Sequence, residues 1–290
     1  MEKLPDHLKK LYPFTSNWID TPGGKQHYVD EGEGEVVVML HGNPTWSFFY
    51  RNLIKELSQN YRCIVPDHIG MGLSDKPQKG FNYQLSDHIE NVVRLLEHLK
   101  VERFNLIVHD WGGAIGMGLA ERFPNRVGKI VVMNTAAFRS QNIPKRIAIC
   151  KLPIIGEFIV RGFNGFAWPA TWMASRKKLS LQVKAGYLFP YHDWKSRIAT
   201  HRFVQDIPLS EKHPSYATLL KVEQSLSKFQ NNRMLLLWGI QDFCFDDTFL
   251  REWQKRFPKA ETVELSNAGH YLLEDAPDET LERIQAFLAQ

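Results

Sequence analysis

The chain has 290 residues, enough for one large domain or a domain carrying an inserted subdomain. Hydrophobic residues make up 43% and charged residues 23%, a globular balance that argues against disorder. The net charge is +4 with bases scattered along the whole chain, and the densest cluster, Arg176-Lys177-Lys178, reads as a solvated turn, so no nucleic-acid partner is expected.

Several further classes fall away. The N-terminal stretch MEKLPDHLKK has no apolar segment of the signal-peptide kind, so a cytoplasmic location is expected. The apolar run 152–160 is broken by Pro153, Gly156 and Glu157, and no transmembrane segment is expected. Cys63, Cys150 and Cys244 are odd in number and far apart, which suits a reducing compartment and neither a disulfide framework nor a zinc site.

In chain order, Pro22-Gly23-Gly24 reads as the turn of an opening hairpin with a strand at 26–30. Short β-branched apolar runs follow at 36–40, 63–66, 104–108 and 129–133. Each is too short for a helix and apolar on both faces, as strands buried between helix layers are. Between them, 84–99 has helical periodicity, with Leu85, Ile89, Val92, Val93, Leu96 and Leu99 on one face. A second helix is expected at 112–123, ending before Pro124. After Thr135 the alternation stops, and 136–209 is rich in aromatics and prolines without a strand pattern. It resumes with a strand at 234–238, a helix near 248–257, a strand at 262–265 and a final helix from Pro277. The architecture implied is a mostly parallel, doubly wound α/β core, 1–135 plus 210–290, with a helical cap inserted at 136–209. Chemistry in such sheets lies beyond the carboxyl ends of the strands.

Five residues at those ends carry a chemical argument. Asp110, in Val108-His109-Asp110-Trp111-Gly112-Gly113, lies between a strand and a helix, the placement of a nucleophile elbow. Val108 replaces the usual small residue two places before it, and Gly112 keeps the one two places after. An N-cap role serves Asp110 equally well in isolation; the other four positions decide. His270, in Asn267-Ala268-Gly269-His270-Tyr271, follows the last strand, where the base falls in the order nucleophile, acid, base. Asp242, after the penultimate strand, is placed to hold the imidazole tautomer. Asp246 and Asp247 look like cap residues for the following helix, and the alternative acid position holds Asn134. Asn43, in His41-Gly42-Asn43-Pro44, and Trp111 offer N–H donors for a leaving anion, although packing alone accounts for many tryptophans.

An aspartate at the elbow selects the reaction. Serine attack on a saturated carbon gives an ether that water does not readily cleave, whereas carboxylate attack gives an ester. A carboxylate also needs no base to ionise at neutral pH. Asp110 therefore points to displacement at an alkyl carbon. Gly70-Met71-Gly72-Leu73-Ser74-Asp75-Lys76 lacks the ending and the following helix of a phosphate loop. The histidines have no ligand spacing, with His88 and His98 read as surface or partly buried, and neither metal nor organic cofactor is implied.

The segments His41-Gly42-Asn43-Pro44, the run Asp67-His68-Ile69-Gly70-Met71-Gly72-Leu73-Ser74-Asp75-Lys76-Pro77, and His109-Asp110-Trp111-Gly112-Gly113 are similar to the haloalkane dehalogenases of the α/β-hydrolase fold. Asn134-Thr135-Ala136-Ala137-Phe138, Arg202-Phe203-Val204-Gln205-Asp206-Ile207-Pro208-Leu209-Ser210 and 238–245 narrow the resemblance to the dehalogenase-like β-lactone decarboxylases of bacterial long-chain olefin biosynthesis. The resemblance implies Asp110 as nucleophile, His270 as base, Asp242 as its partner, and Asn43 with Trp111 as leaving-group holders. It implies a cis-3-alkyl-4-alkyloxetan-2-one as substrate, a cis-alkene and CO2 as products, and docking with a β-lactone synthetase. Attack at the alkyl carbon or at the lactone carbonyl both stay open.

The cap side chains Phe163, Phe166, Trp168, Trp172 and Leu188 are expected to line a pocket for long alkyl chains as well as to pack cap on core. Three other readings share these residues. A haloalkane dehalogenase would use the same five with water, and an epoxide hydrolase would need an acid such as Tyr187 or Tyr191. A catalytically silent receptor or assembly subunit would need no chemistry at all.

Overall fold

Alternate residues of the apolar runs face opposite ways, and both faces are buried. In a computed structural model describing residues 4–290, Val38 and Leu40 join one apolar cluster while Val37 and Met39 join the other. The strands are β1 (Ser16–Thr21), β2 (Gly24–Glu31), β3 (Glu35–Leu40), β4 (Tyr61–Pro66), β5 (Phe104–Asp110), β6 (Val127–Thr135), β7 (Met234–Gly239) and β8 (Glu261–Leu265). They form one sheet in the order β1-β2-β4-β3-β5-β6-β7-β8. β2 pairs antiparallel with both β1 and β4, and the other neighbours are parallel. The opening hairpin turns between Thr21 and Gly24, as the glycines indicate.

The helices are α1 (Asp6–Lys9), α2 (Arg51–Leu57), α3 (Leu85–His98), α4 (Trp111–Arg122), α5 (Lys145–Cys150), α6 (Ile155–Glu157), α7 (Ala167–Met173), α8 (Leu181–Leu188), α9 (Ile198–Gln205), α10 (Tyr216–Ser225), α11 (Asp247–Arg256), α12 (Leu272–Asp275) and α13 (Pro277–Ala289). α3 buries the expected apolar stripe, and Asp87 accepts the Gln84 N–H at its start. His88 departs from its reading. It is fully buried, stacked on Phe203 with ring centres 4.4 Å apart, and burial pushes its imidazole down to about 3, so it stays neutral. His98 is exposed, as expected. α2 and α10 had no counterpart in the sequence reading.

Residues 136–209 hold α5 to α9 and no strand. Polar contacts fasten this segment to the sheet side. The Trp46 indole donates to Gly186 O at 3.0 Å, and Arg51 forms a two-pronged pair with Glu274, which also accepts from Tyr187. Asp275 does most: its carboxylate accepts the Ser175 hydroxyl and the N–H groups of Arg176, Lys177 and Gly269, all within 2.6–2.8 Å. One buried carboxylate thereby ties the segment to the turn preceding His270.

The glycine-rich turn after β4 wraps a carboxylate of its own chain. Asp67, fully buried, accepts N–H bonds from Ser47 and Leu73 and pairs with His27 at 2.8 Å. Gly72, at φ +49°, would put a Cβ 2.2 Å from that carboxylate. Phosphate is not what this turn holds.

At the β5–α4 junction Gly112 lies so close to β3 that a Cβ would sit 1.9 Å from Leu40 O, a backbone atom that cannot swing away. Gly112→Ala is expected to destabilise the fold by about 2–3 kcal/mol, whereas Gly162→Ala, whose Cβ meets nothing nearer than 3.7 Å, should change stability by no more than about 0.5 kcal/mol. Urea unfolding of the two variants checks the contrast.

Candidate active site

The pairing of β5 with β6 slips at its end: His109 faces Met133, but Asp110 faces Thr135. The skipped residue is Asn134, at φ +33°. Asp110 itself has φ +52° and ψ −127°, a conformation disfavoured for a side chain larger than glycine. Bonds at the carboxylate hold it there. Its Oδ1 accepts the Asn43 N–H at 2.7 Å, the Trp111 N–H at the start of α4 also bonds to the carboxyl group, and its carbonyl accepts the Thr135 hydroxyl. Gly42 is needed alongside, because a Cβ there would lie 1.9 Å from Oδ1. The cap reading of Asp110 fails, since its side chain makes no cap bond to α4's interior.

His270 occupies the turn between β8 and α12. Its Nδ1 lies 2.8 Å from Asp242 Oδ2 and its Nε2 lies 3.6 Å from Asp110 Oδ2. The first is a hydrogen bond that fixes the proton on Nδ1; the second is longer than a direct bond. All three groups are buried. Burial pulls the His270 pKa down, but the Asp242 charge and hydrogen bond, with Asp110 adding, outweigh it and leave the imidazole above its ordinary value. For Asp110, burial raises the pKa and is only partly offset by His270 and the two backbone N–H groups, so it lies above the usual carboxylate range. The arrangement is an imidazole of raised pKa, held by Asp242, whose Nε2 faces the Asp110 carboxylate from beyond direct hydrogen-bond distance.

Asn134 is the group that sequence reading passed over as merely not a carboxylate. Its Nδ2 donates to Asp242 Oδ2 at 3.0 Å and to Gly239 O at 2.9 Å, and its Oδ1 accepts from Gly239 N–H at 2.8 Å. Asp242 Oδ1 takes the Cys244 N–H at 2.6 Å. The bulge in β6 is what aims this amide at the acid. His109 braces the other side, bonded through Nε2 to His270 O at 2.8 Å and stacked on Phe49; burial and the nearby His270 hold it neutral. Asp246 caps α11 through Thr248 N–H and Asp247 pairs with Arg251, so neither competes with Asp242.

Asn43 and Trp111 both border the cavity over Asp110. The Asn43 amide does not spend all its donors there: one N–H bonds to Thr200 O in α9 at 3.0 Å, leaving the second for the cavity. The Trp111 ring packs edge-on against Phe203, 5.3 Å between centres, and its indole N–H has no partner among the described residues.

The cavity holds about 290 Å³ and is largely apolar, lined by Phe138, Ile143, Ile147, Phe166, Met173, Val204, Phe245 and Phe249 among others. Of the five segment side chains expected in it, only Phe166 is there. Phe163, Trp168 and Trp172 are exposed on the outside and Leu188 packs against the core. Residue type alone did not reveal which way short irregular helices face. Tyr187 and Tyr191 are also absent from it; their hydroxyls donate to Glu274 and to Thr45 O and Met71 Sδ. Neither can protonate a leaving alkoxide above Asp110. Among the described residues no group of three His, Cys, Asp or Glu side chains could hold a metal ion.

Known proteins share this fold. The family model of the alpha/beta hydrolase fold matches residues 35–277. A cis-3-alkyl-4-alkyloxetan-2-one decarboxylase from Shewanella oneidensis is 44% identical over 98% of this chain and 91% of its own length. Haloalkane dehalogenase 2 of Mycobacterium tuberculosis is 34% identical, covering 93% of each. In structure, the haloalkane dehalogenase DatA from Agrobacterium tumefaciens C58 superposes with a TM-score of 0.86 at 25% identity, over 95% of this chain and 96% of that one. The chain belongs to the α/β-hydrolase fold family, among relatives named β-lactone decarboxylases and haloalkane dehalogenases.

Proposed function

We propose that this chain is a β-lactone decarboxylase that converts a cis-3-alkyl-4-alkyloxetan-2-one into a cis-alkene and CO2, in long-chain olefin biosynthesis. The observation that carries the reading is the 44% identity, across nearly the whole chain, to a relative bearing that activity's name. The site supports it with a buried elbow carboxylate under an apolar cavity. Asp110 is the nucleophile, His270 and Asp242 its charged partners, and Asn43 and Trp111 the holders of the leaving group. Residues 1–135 and 210–290 form the core and 136–209 the cap that closes over it. A small hydrophobic substrate with long alkyl chains, docking with a β-lactone synthetase, and a reducing cytoplasmic setting complete the proposal; three free cysteines fit the last.

The Asp110 carboxylate attacks the ring carbon that bears oxygen, the ring C–O bond breaks with inversion, and the freed carboxylate takes N–H bonds from Asn43 and Trp111. The C–C bond to that carboxylate then breaks, its electrons form the alkene, and the bond from carbon to Asp110 breaks on the opposite face. CO2 departs and the aspartate is restored. Inversion followed by anti elimination makes a cis ring yield a cis alkene. No water enters. The imidazolium of His270 stabilises the aspartate as it leaves again.

The dehalogenase reading has one observation in its favour: the intact 2.8 Å bond from Asp242 to His270 would serve equally to activate a water. Product analysis with a defined cis-β-lactone and a 1-haloalkane separates the two.

Four outcomes are expected. Asp110→Asn should lower kcat on the lactone by at least about a thousandfold. Trp111→Phe, which keeps the packing on Phe203 and removes the donor, should lower it by about a hundredfold. Turnover in ¹⁸O-water should leave Asp110 unlabelled after many cycles; obligatory labelling contradicts the water-free route. The pH profile carries a sign. Activity should fall as pH drops through the raised Asp110 pKa, because the nucleophile is the ionised form. It should fall again as pH rises through the raised His270 pKa, because the imidazolium is the useful form. A hydrolytic route needs neutral imidazole and would gain activity across that second range.

A further inference from the structure

We propose that the outer face of the cap docks on an anionic phospholipid bilayer, with the cavity opening beside the contact. Twelve large hydrophobic side chains are exposed among the described residues, and ten of them lie between Ile149 and Trp194. Phe163 is 81% and Ile154 74% exposed, and it is the gathering of such side chains in one segment that marks an interaction site. Charge is partitioned the same way. Residues 136–209 carry twelve lysines and arginines and only three acids, Glu157, Asp193 and Asp206, while the remaining chain carries 24 bases and 29 acids. The cap is thus +9 and the rest −5. Glu157 is paired to Arg161, and Asp206 is buried.

The patch is joined to the cavity by α7. Trp168 and Trp172, four residues apart and in edge contact, face outward, while Pro169, Ala170 and Met173 of the same helix line the cavity. On α5, exposed Arg146 also lines the cavity and reaches Met173 Sδ at 4.0 Å, so the cavity meets the surface between these two helices. Exposed Lys145 and Arg146 precede the exposed apolar side chains, and exposed Arg176, Lys177 and Lys178 lie between Trp172 and Leu181.

Tryptophan and phenylalanine flanked by basic residues is the composition of a face lying in the headgroup region, apolar side inserted and cations on the anionic lipid. Protein interfaces of similar aromaticity are depleted in lysine. No described helix is long and apolar enough to cross a membrane, so the contact is one of lying on the surface. An apolar ligand could then pass from lipid to cavity without crossing water. The claim extends the proposed function and does not depend on it, since binding to lipid is read without substrate.

The test is co-sedimentation of the full chain with vesicles of phosphatidylcholine, with and without phosphatidylglycerol. The wild type should pellet with the anionic vesicles and be released by salt. Trp168→Ser/Trp172→Ser should weaken partitioning by about tenfold. Lys177→Glu/Lys178→Glu should weaken it by about tenfold or more, whereas Lys55→Glu/Lys259→Glu, with the same change in net charge away from the cap, should bind like wild type. Circular dichroism of each variant establishes that it is folded. Failure of the folded wild type to bind anionic vesicles overturns the proposal, as does equal weakening by the two charge pairs. Capture of an acidic protein through the cap with no vesicle binding would assign the face to a protein and overturn it too.

Discussion

Everything in this molecule turns on how closely the backbone is packed around Asp110. The carboxylate stands above the sheet only because Gly42, Gly112 and Gly113 leave it no obstruction: a Cβ on any of them would lie 1.9 Å from Asp110 Oδ1, Leu40 O or Thr135 Oγ1. In that confined space two backbone N–H groups point at the carboxylate, and the cost of a positive φ is met by bonds available only in this conformation. The slip between β5 and β6 belongs to the same construction. It lifts Asp110 out of register and turns Asn134 toward Asp242, so one irregularity places groups on two sides of the imidazole.

Electrostatically the site is two carboxylates with one imidazole between them. Asp242 takes hydrogen bonds from Asn134, Cys244 and His270. Asp110 is buried, and burial makes it a stronger base than a carboxylate in water. The two acids therefore differ: one is surrounded by donors, and the other borders an apolar cavity.

Much of this was legible in the chain. Short apolar runs gave away the strands because both sheet faces are buried, and the turns after β5, β7 and β8 could carry only a few polar residues that matter. The order Asp110, Asp242, His270 then fixed their relation. What stayed hidden depended on three-dimensional contact. Asn134 looked like the absence of an acid until the bulge aimed its amide, and nothing in the chain around Asp275 signals the four donors it gathers from two segments. Residues 136–209 misled most. Their helices are too short for periodicity to distinguish an inner from an outer face, so Trp168 and Trp172 read as pocket lining although Pro169 and Met173 on the opposite side of α7 do that work.

The most direct test of the central claim is to catch the bond to Asp110. In a single turnover of a cis-β-lactone, quenched in acid and mapped by peptide mass spectrometry, the peptide carrying Asp110 should gain the mass of the intact lactone, and that gain should decay as alkene appears. Alkene formation at full rate with Asp110 unmodified at every time point, or with the added mass on another residue, would contradict the account.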